Sequence, residues 1–151
     1  VKPVWSHILR LRNLVYFGLW SVIGAALVVA LFIRSDFSIS ITPDRNPRFV
    51  TLSDGTIRNA YNLKLNNQTG GDRVFHISVK TEEPLRVQLE GMSELTVLVP
   101  ADSTQQQRVY LFAKPEFEAA QSDSSSVRFW VEDRITGDRT YADTFFAGDE
   151  R

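Results

Sequence analysis

The 151-residue chain contains no cysteine, only two histidines and a single methionine. The absence of cysteine excludes disulfides, thiolate catalysis, iron–sulfur ligation and cysteine-based zinc sites on this polypeptide. Soft ligands for copper are also scarce, since only His76 and Met92 follow the apolar N-terminal part. We therefore nominate no catalytic, cofactor-binding or metal-binding residue and do not expect this segment to be an enzyme.

The chain also lacks a large excess of charge of either sign. Its formal net charge is −1, with 17 basic and 18 acidic residues mixed along the sequence. Such a chain has no field that would concentrate DNA or RNA, so nucleic acid is not expected as a partner. The sequence has no G-x-S-x-G, phosphate loop or G-x-G-x-x-G, which are signatures of hydrolases, nucleotide hydrolases and dinucleotide-binding enzymes.

What the sequence does contain is one long apolar run, from Leu14 to Ile33, in which Ser21 is the only polar residue. As a helix this run would be about 30 Å long, which matches the hydrocarbon thickness of a bilayer. A buried core helix or the apolar part of a signal peptide is usually shorter, and a peripheral helix would have a polar face. The run predicts a transmembrane helix over residues 14–33, with the lipid bilayer as a partner.

The charges on either side of the run predict its orientation. Residues 1–13 contain Lys2, Arg10 and Arg12 and no acid, whereas 14 basic and 18 acidic residues follow the run. The positive-inside rule then makes 1–13 a cytoplasmic flank and places the rest on the periplasmic side of a bacterial inner membrane. Because the sequence starts at Val1, we expect it to be the C-terminal piece of a longer protein.

From Phe37 onwards the apolar residues recur with a period of two, which is typical of half-buried β-strands. The segments that start at Phe37, Ile57 and Phe75 alternate in this way, and further runs start near residues 85, 95, 106, 126 and 139. Glycine, proline, aspartate and asparagine separate the runs, and residues 115–123 offer one helical turn at most. About eight strands without crossover helices predict an all-β, immunoglobulin-like antiparallel sandwich over residues 36–148.

Three features of this region raise the question of a site. His76 alternates with apolar neighbours and is predicted to face solvent, and Asp133 with Asp138 lack the spacing of a calcium loop, so a charged hairpin turn is expected. Trp130 is out of phase with the apolar residues around it and is predicted to lie on the opposite face of its strand. It is a candidate contact residue, although coverage by a loop or by the second sheet would explain it equally well.

The segment "PDRNPRF", Pro43 to Phe49, follows the first predicted strand. Its two prolines bracket Asp44, Arg45 and Asn46 and predict a stiff turn. Such a turn would fix the orientation of the domain over the bilayer, with Arg45 pairing with a backbone carbonyl or a nearby acid.

The order of these residues resembles a known family. The apolar span followed by D-R-N and G-x-I-x-N-x-Y-x-L-x-x-N is similar to the C-terminal part of the FixG/CcoG cytochrome c oxidase accessory proteins. The matching positions here are Asp44, Arg45, Asn46, Gly55, Ile57, Asn59, Tyr61, Leu63 and Asn66. The ending "DTFFAGDE" resembles the F-x-G-P close of that family at Phe146 and Gly148, with Asp149 in place of the proline.

This resemblance implies a periplasmic immunoglobulin-like domain behind a multispan part and a ferredoxin-like segment, whose cysteines would hold 4Fe-4S clusters upstream of this chain. It also implies a role beside copper reduction and the assembly of cbb-type haem–copper oxidases. Asn59, Tyr61 and Asn66 are expected to have structural roles first, because motif residues of a sandwich commonly secure corners and turns.

Two functions from different classes remain open at this point. The first is a membrane-anchored periplasmic interaction domain of a redox accessory protein, with other membrane or oxidase-assembly proteins as partners. The second is a stand-alone single-span periplasmic scaffold or adhesion-type module that binds through sheet edges or loops.

Overall fold

The computed structural model of the chain describes residues 10–33 and 36–149. Most of the predicted cytoplasmic flank, including Lys2 and His7, and Arg34 after the apolar run lie outside the described residues. The chain divides between residues 35 and 36 into two compact units, which are considered separately.

Among the described residues of the first unit, 10–33, there is one helix, α1, which spans Leu11–Phe32. Its 22 residues correspond to about 33 Å, and none of them is buried. The helix is long and apolar enough to cross a membrane. The Ser21 hydroxyl donates to the Phe17 carbonyl at 2.8 Å, so this group has a hydrogen-bond partner within the helix itself.

The second unit is a two-sheet β-structure. Its elements are β1 (Phe37–Pro43), β2 (Val50–Thr51), β3 (Ile57–Asn67), β4 (Arg73–Lys80), β5 (Arg86–Leu89), β6 (Thr96–Val99), β7 (Ser103–Ala113), α2 (Glu118–Gln121), β8 (Ser125–Asp133) and β9 (Arg139–Phe146). The first sheet has the order β1-β3-β7-β5, with β2 also paired to β3, and the second has the order β6-β4-β8-β9. All pairs are antiparallel, as predicted.

The core lies between the two sheets and follows the predicted period. Alternate residues of β3 are buried from Ile57 to Asn67, and β8 is buried at every second residue from Val127. Aromatic rings connect the sheets: Phe37 contacts Phe75 at a centroid distance of 4.9 Å, and Tyr61 contacts Phe129 at 5.3 Å. Tilted ring pairs of this kind are worth about 0.5–1.5 kcal/mol beyond their buried area.

The segment after β7 forms only the single turn α2, as the sequence predicted. The Glu83 carboxylate accepts hydrogen bonds from the backbone N–H groups of Glu118 and Ala119, both at 2.9 Å. These bonds satisfy two donors that a helix leaves unpaired at its start, and they attach α2 to the connection between the sheets. The two-residue strand β2 was not predicted, because two residues are too few to establish a period.

Candidate functional site

The residues of the D-R-N motif lie in the turn after β1. The backbone N–H of Asp44 donates to the Ala60 carbonyl at 2.9 Å, and its carboxylate accepts from Asn62 Nδ2 at 3.2 Å and pairs with Arg108. Arg45 and Asn46 are exposed. The pairing predicted for Arg45 stays a prediction; the ion pair seen at this turn is made by Arg108, which reaches Asp44 from β7, on the other side of β3.

A second ion pair holds the far part of the same turn. Arg48 donates to Asp123 Oδ1 at 2.7 Å and to the Asp123 carbonyl at 2.9 Å. This contact connects the turn after β1 to the loop that precedes β8. The turn after β1 is thus held by the ion pairs of Arg48 and Arg108.

Gly55 closes the tight turn between β2 and β3. Its φ of +83° lies in the left-handed region, where a side chain would be strained. The turn is completed by hydrogen bonds between Leu52 and Thr56, and Asp54 Oδ1 accepts the Thr56 N–H at 3.0 Å. This hydrogen bond holds the pKa of Asp54 below its ordinary value.

Asn59 and Tyr61 bind the last part of the chain. Asn59 is 4% exposed, its Nδ2 donates to the Ala147 carbonyl at 2.8 Å, and its Oδ1 accepts the Ala147 N–H at 3.0 Å. The Tyr61 hydroxyl donates to the Phe145 carbonyl at 2.9 Å, and burial raises the pKa of this phenol. We call Asn59, Tyr61 and residues 145–149 the C-terminal clasp.

Gly148 allows the end of the C-terminal clasp to pack directly against the backbone of α2. Its N–H donates to the Ser122 carbonyl at 3.0 Å, and the N–H of Asp149 donates to the Ala120 carbonyl at 2.9 Å. A Cβ on Gly148 would lie 2.5 Å from the carbonyl oxygens of Ala119 and Ser122. Only glycine fits at this position, since the obstructing atoms belong to the backbone of α2 and the residue after it.

Asn66 is the asparagine that matches the family motif, but its neighbour Asn67 is the one at the centre of a hydrogen-bond network. Asn66 lies on the outer face of β3 and accepts a hydrogen bond from Thr104 Oγ1 at 3.0 Å. Asn67 is 1% exposed; it donates to the carbonyls of Gly71, Val99 and Pro100 and accepts from Thr69. Asn67 is in phase with Leu63 and Leu65, so the strand period alone could have identified it.

Trp130 lies on the outer face of its sheet, as its phase predicted, and is partly buried there. Its ring contacts Tyr141 at a centroid distance of 5.1 Å, and the Arg128 guanidinium lies 4.1 Å from the centre of the Tyr141 ring. Arg128 forms a two-point hydrogen bond to Asp143, which lowers the pKa of Asp143 and raises that of Arg128. The adjacent Phe145 is 64% exposed.

Trp130, Tyr141, Phe145, Arg128 and Asp143 together form what we call the aromatic patch. Phe145 was not singled out in the sequence, but the adjacent pair in "TFF" contains the signal. Two successive residues of a strand face opposite sides, so one phenylalanine of the pair had to point outward. Such an exposed apolar patch is typical of a contact surface.

The residues that raised the question of a metal site are used within the fold. Asp133 is buried; its Oδ1 accepts the Ile135 N–H at 2.8 Å and its Oδ2 pairs with Arg73 at 3.4 Å. Asp138 accepts from the Thr136 hydroxyl at 2.9 Å in the same hairpin. Within residues 10–33 and 36–149 there is no group of three or more histidines, aspartates or glutamates placed to hold a metal ion.

The buried polar groups of the motif form hydrogen bonds inside the domain. In the described parts of the chain, every buried side-chain nitrogen or oxygen has a hydrogen-bond partner. Asn59, Tyr61 and Asn67 therefore form hydrogen bonds within the fold, where they act as structural bridges. In contrast to these buried groups, Tyr141 and Phe145 of the aromatic patch are exposed.

This architecture matches a described family. The family model "IG-like fold at C-terminal of FixG" matches residues 27–149, from the second half of the apolar helix through the C-terminal clasp. The chain belongs to the FixG C-terminal family. The immunoglobulin-like sandwich expected from the strand period is thereby confirmed.

Individual members of the FixG family show the same relationship. The chain is 48% identical to Protein RdxB of Cereibacter sphaeroides over 97% of its own length and 31% of that protein. It is 35% identical to the nitrogen fixation protein FixG of Rhizobium meliloti over 66% of its length and 17% of that protein. The chain thus spans a third or less of the length of these curated relatives.

A solved structure supports the fold of the FixG C-terminal domain independently. A FixG-related protein from Vibrio parahaemolyticus superposes with a TM-score of 0.64 at 19% identity. The match covers 76% of this chain and 98% of that chain. At this level of identity the likeness shows the fold alone.

Proposed function

We propose that this chain is the membrane-anchored, periplasmic interaction domain of a redox accessory protein that supports copper reduction and assembly of a cbb-type cytochrome c oxidase. The observation that carries the proposal is the FixG family match over residues 27–149, which joins an apolar helix to an immunoglobulin-like sandwich. In this proposal the sandwich recognises partners, and the 4Fe-4S clusters of a longer protein, held by cysteines upstream, transfer the electrons.

The chemistry of the chain supports this division of labour. The sequence contains no cysteine, so iron–sulfur ligation would have to come from elsewhere in the protein. The buried motif residues Asn59 and Tyr61 hold the C-terminal clasp, while Tyr141 and Phe145 remain 49% and 64% exposed on the aromatic patch. A domain with a packed, hydrogen-bonded interior and an exposed aromatic surface is suited to binding another protein.

The proposed orientation places residues 36–149 in the periplasm and can be tested separately. Because the chain has no native cysteine, a single Ser93→Cys substitution at an exposed position gives one labelling site. We expect a membrane-impermeant maleimide to label it in intact spheroplasts. Labelling that requires inverted membranes would contradict the orientation.

The partner proposal is tested by affinity purification of the native-length protein from detergent-solubilised membranes of its host. We expect cbb-type oxidase subunits to co-purify, and Tyr141→Ser in the aromatic patch to reduce their recovery. Leu98→Ser is the matched control, since Leu98 is 58% exposed on the same sheet but on the opposite edge strand.

Recovery of other envelope proteins without oxidase subunits would favour the stand-alone scaffold instead. Equal loss of oxidase from the Tyr141 and Leu98 variants would show that the aromatic patch has no specific part in binding. Sequencing the DNA upstream of the Val1 codon gives a further check, because the proposal requires an in-frame region with cysteine clusters and additional apolar spans.

A further inference from the structure

A groove of about 960 Å³ lies where β4, β8 and β9 approach the same end of the second sheet. Lys80 at the end of β4, the serines at the start of β8 and Phe145 on β9 line it. The chain leaves β4 at Thr81 and passes to the other sheet, whereas β8 begins three residues before the position opposite Lys80. One side of β8 is therefore open along this groove.

The direction of the backbone groups of β8 follows from the hydrogen bonds at its other end. The N–H of Asp133 donates to Asp138, on the β9 side, and the next N–H, that of Arg134, donates to Val74, on the β4 side. Successive residues of a strand direct their backbone groups to opposite sides, and both pairings of β8 run without a slip. Even-numbered residues of β8 therefore direct their N–H and C=O towards β4.

Ser126 is the even-numbered residue that has no strand opposite it. Arg128 pairs with Lys80, the last residue of β4, and two residues earlier Ser126 faces the groove. Within the described residues, no hydrogen bond reaches the Ser126 backbone from the β4 side. Its side chain is exposed, so the edge is accessible to another chain.

The side chains around this edge favour an apolar residue on one face of an added strand. Ser126 is directly opposite Phe145 in the β8–β9 pairing. A strand added beside Ser126 would place a side chain on the same face, with only the small serine between it and the exposed phenylalanine ring. An aliphatic side chain at that position would bury part of Phe145.

The charges of the groove favour a basic occupant. Its charged lining residues are Lys80, Arg128, Glu82, Glu83, Glu118 and Asp143. Arg128 and Asp143 pair with each other, and the carboxylate of Glu83 is used by the N–H groups at the start of α2. Of the remaining lining residues, Glu82 and Glu118 contribute two negative charges to the groove and Lys80 contributes one positive charge.

We propose that this groove binds an extended segment of a partner protein, in which lysine or arginine alternates with aliphatic residues, by adding a strand to the open edge of β8 at Ser126. The mode is β-strand addition, in which backbone hydrogen bonds give affinity and alternate side chains give specificity. The inference deepens the interaction role proposed above and rests on it. The test below uses no oxidase, so the two proposals can fail separately.

The probe is a fluorescein-labelled peptide, Lys-Val-Lys-Val-Lys-Val-Lys with an amidated C-terminus, titrated with the full chain in non-ionic detergent and followed by anisotropy. Glu82→Lys removes one attraction and adds one repulsion, so we expect binding about five- to tenfold weaker. Ser126→Pro removes the open N–H without breaking a ladder bond and is expected to weaken binding about tenfold. Thermal unfolding establishes that each variant is folded.

Glu94→Lys is the matched control, because Glu94 is exposed and lies outside the groove. We expect Glu94→Lys to bind the basic peptide with a Kd within about twofold of that of the unmodified chain. The same peptide with glutamate in place of lysine is expected to bind neither of these two proteins. Absence of binding by the basic peptide would overturn the proposal. Equal weakening by Glu82→Lys and Glu94→Lys, or unchanged binding by a folded Ser126→Pro variant, would do the same.

Discussion

The hydrogen bonds between Asn59 and Ala147 predict a large loss of stability when the asparagine is removed. Asn59→Ala takes away both partners of a buried backbone unit, since Ala147 is 7% exposed and uses its N–H and its C=O in these bonds. Each orphaned backbone group costs about 1–3 kcal/mol. We expect a loss of about 2–5 kcal/mol in the free energy of unfolding, against about 5–15 kcal/mol for a domain of this size.

The assay is thermal unfolding of the chain in non-ionic detergent, followed by the near-ultraviolet circular dichroism of its aromatic residues. The expected loss corresponds to a fall in Tm of about 10–20 °C for a domain of this length. The matched control is Asn66→Ala, which removes only the contact with Thr104 on the outer face and is expected to cost about 0.5 kcal/mol. Similar shifts in Tm for the two variants would refute the reasoning.

Asn59→Asp gives a signature that a packing defect would not produce. It retains an acceptor for the Ala147 N–H but places a second carboxylate oxygen against the Ala147 carbonyl. Burial and this repulsion raise the pKa of the new carboxyl in the folded state, so the variant loses stability as pH rises through the unfolded-state pKa of about 4 and beyond. The deficit relative to the unmodified chain is expected to be smaller near pH 4 than at pH 7, and a deficit independent of pH would contradict the assignment.

Three further outcomes follow from the same structure. Gly148→Ala is expected to lower the free energy of unfolding by about 1–3 kcal/mol, because its Cβ would lie 2.5 Å from backbone oxygens. Gly70→Ala is the control, since no atom lies within 4 Å of a Cβ at that position, and denaturant titration should show a change near zero. Burial raises the pKa of Tyr61, so the unmodified chain loses stability as pH rises past 10.0, where tyrosine in the unfolded chain ionises. Tyr61→Phe is expected to show a shallower decline of Tm with pH, and identical profiles for the two proteins would contradict this prediction. Arg128 lowers the pKa of Asp143, so this ion pair stabilises the folded domain at pH values above the ordinary carboxyl pKa of 3.8, and the stabilisation is lost as pH falls below it. Asp143→Asn should remove this part of the acid dependence of Tm in thermal melts at a series of pH values.

The strand pattern could be predicted because one face of each sheet is buried and the side-chain period of two is visible in the sequence. This applied to Phe37, to β3 and to β8, and it placed Trp130 on the outer face. The same rule would have selected Asn67 over its neighbour, had the phase been preferred to the spacing of the family motif.

The clasp could not be derived from the sequence, because its contacts join residues that are 84 to 88 positions apart. No local pattern shows that Asn59 meets Ala147 or that Gly148 lies against α2. The ion pair of Asp44 could not be derived from the sequence for a similar reason, because its partner Arg108 lies 64 residues away. The open edge at Ser126 likewise depends on where two strands end relative to each other.

The clasp also sets the order in which the domain can be completed as it is made. Residues 145–149 supply the last strand positions of one sheet and the partners of Asn59 in the other, so a nascent chain cannot close its core until these residues have emerged. Pairings this distant in sequence are slow to form, on the order of milliseconds to seconds in all-β domains. Folding of the sandwich is thus expected to finish only after residue 149 has left the ribosome. Until then an incomplete sandwich exposes apolar strands, a state that chaperones and proteases can recognise.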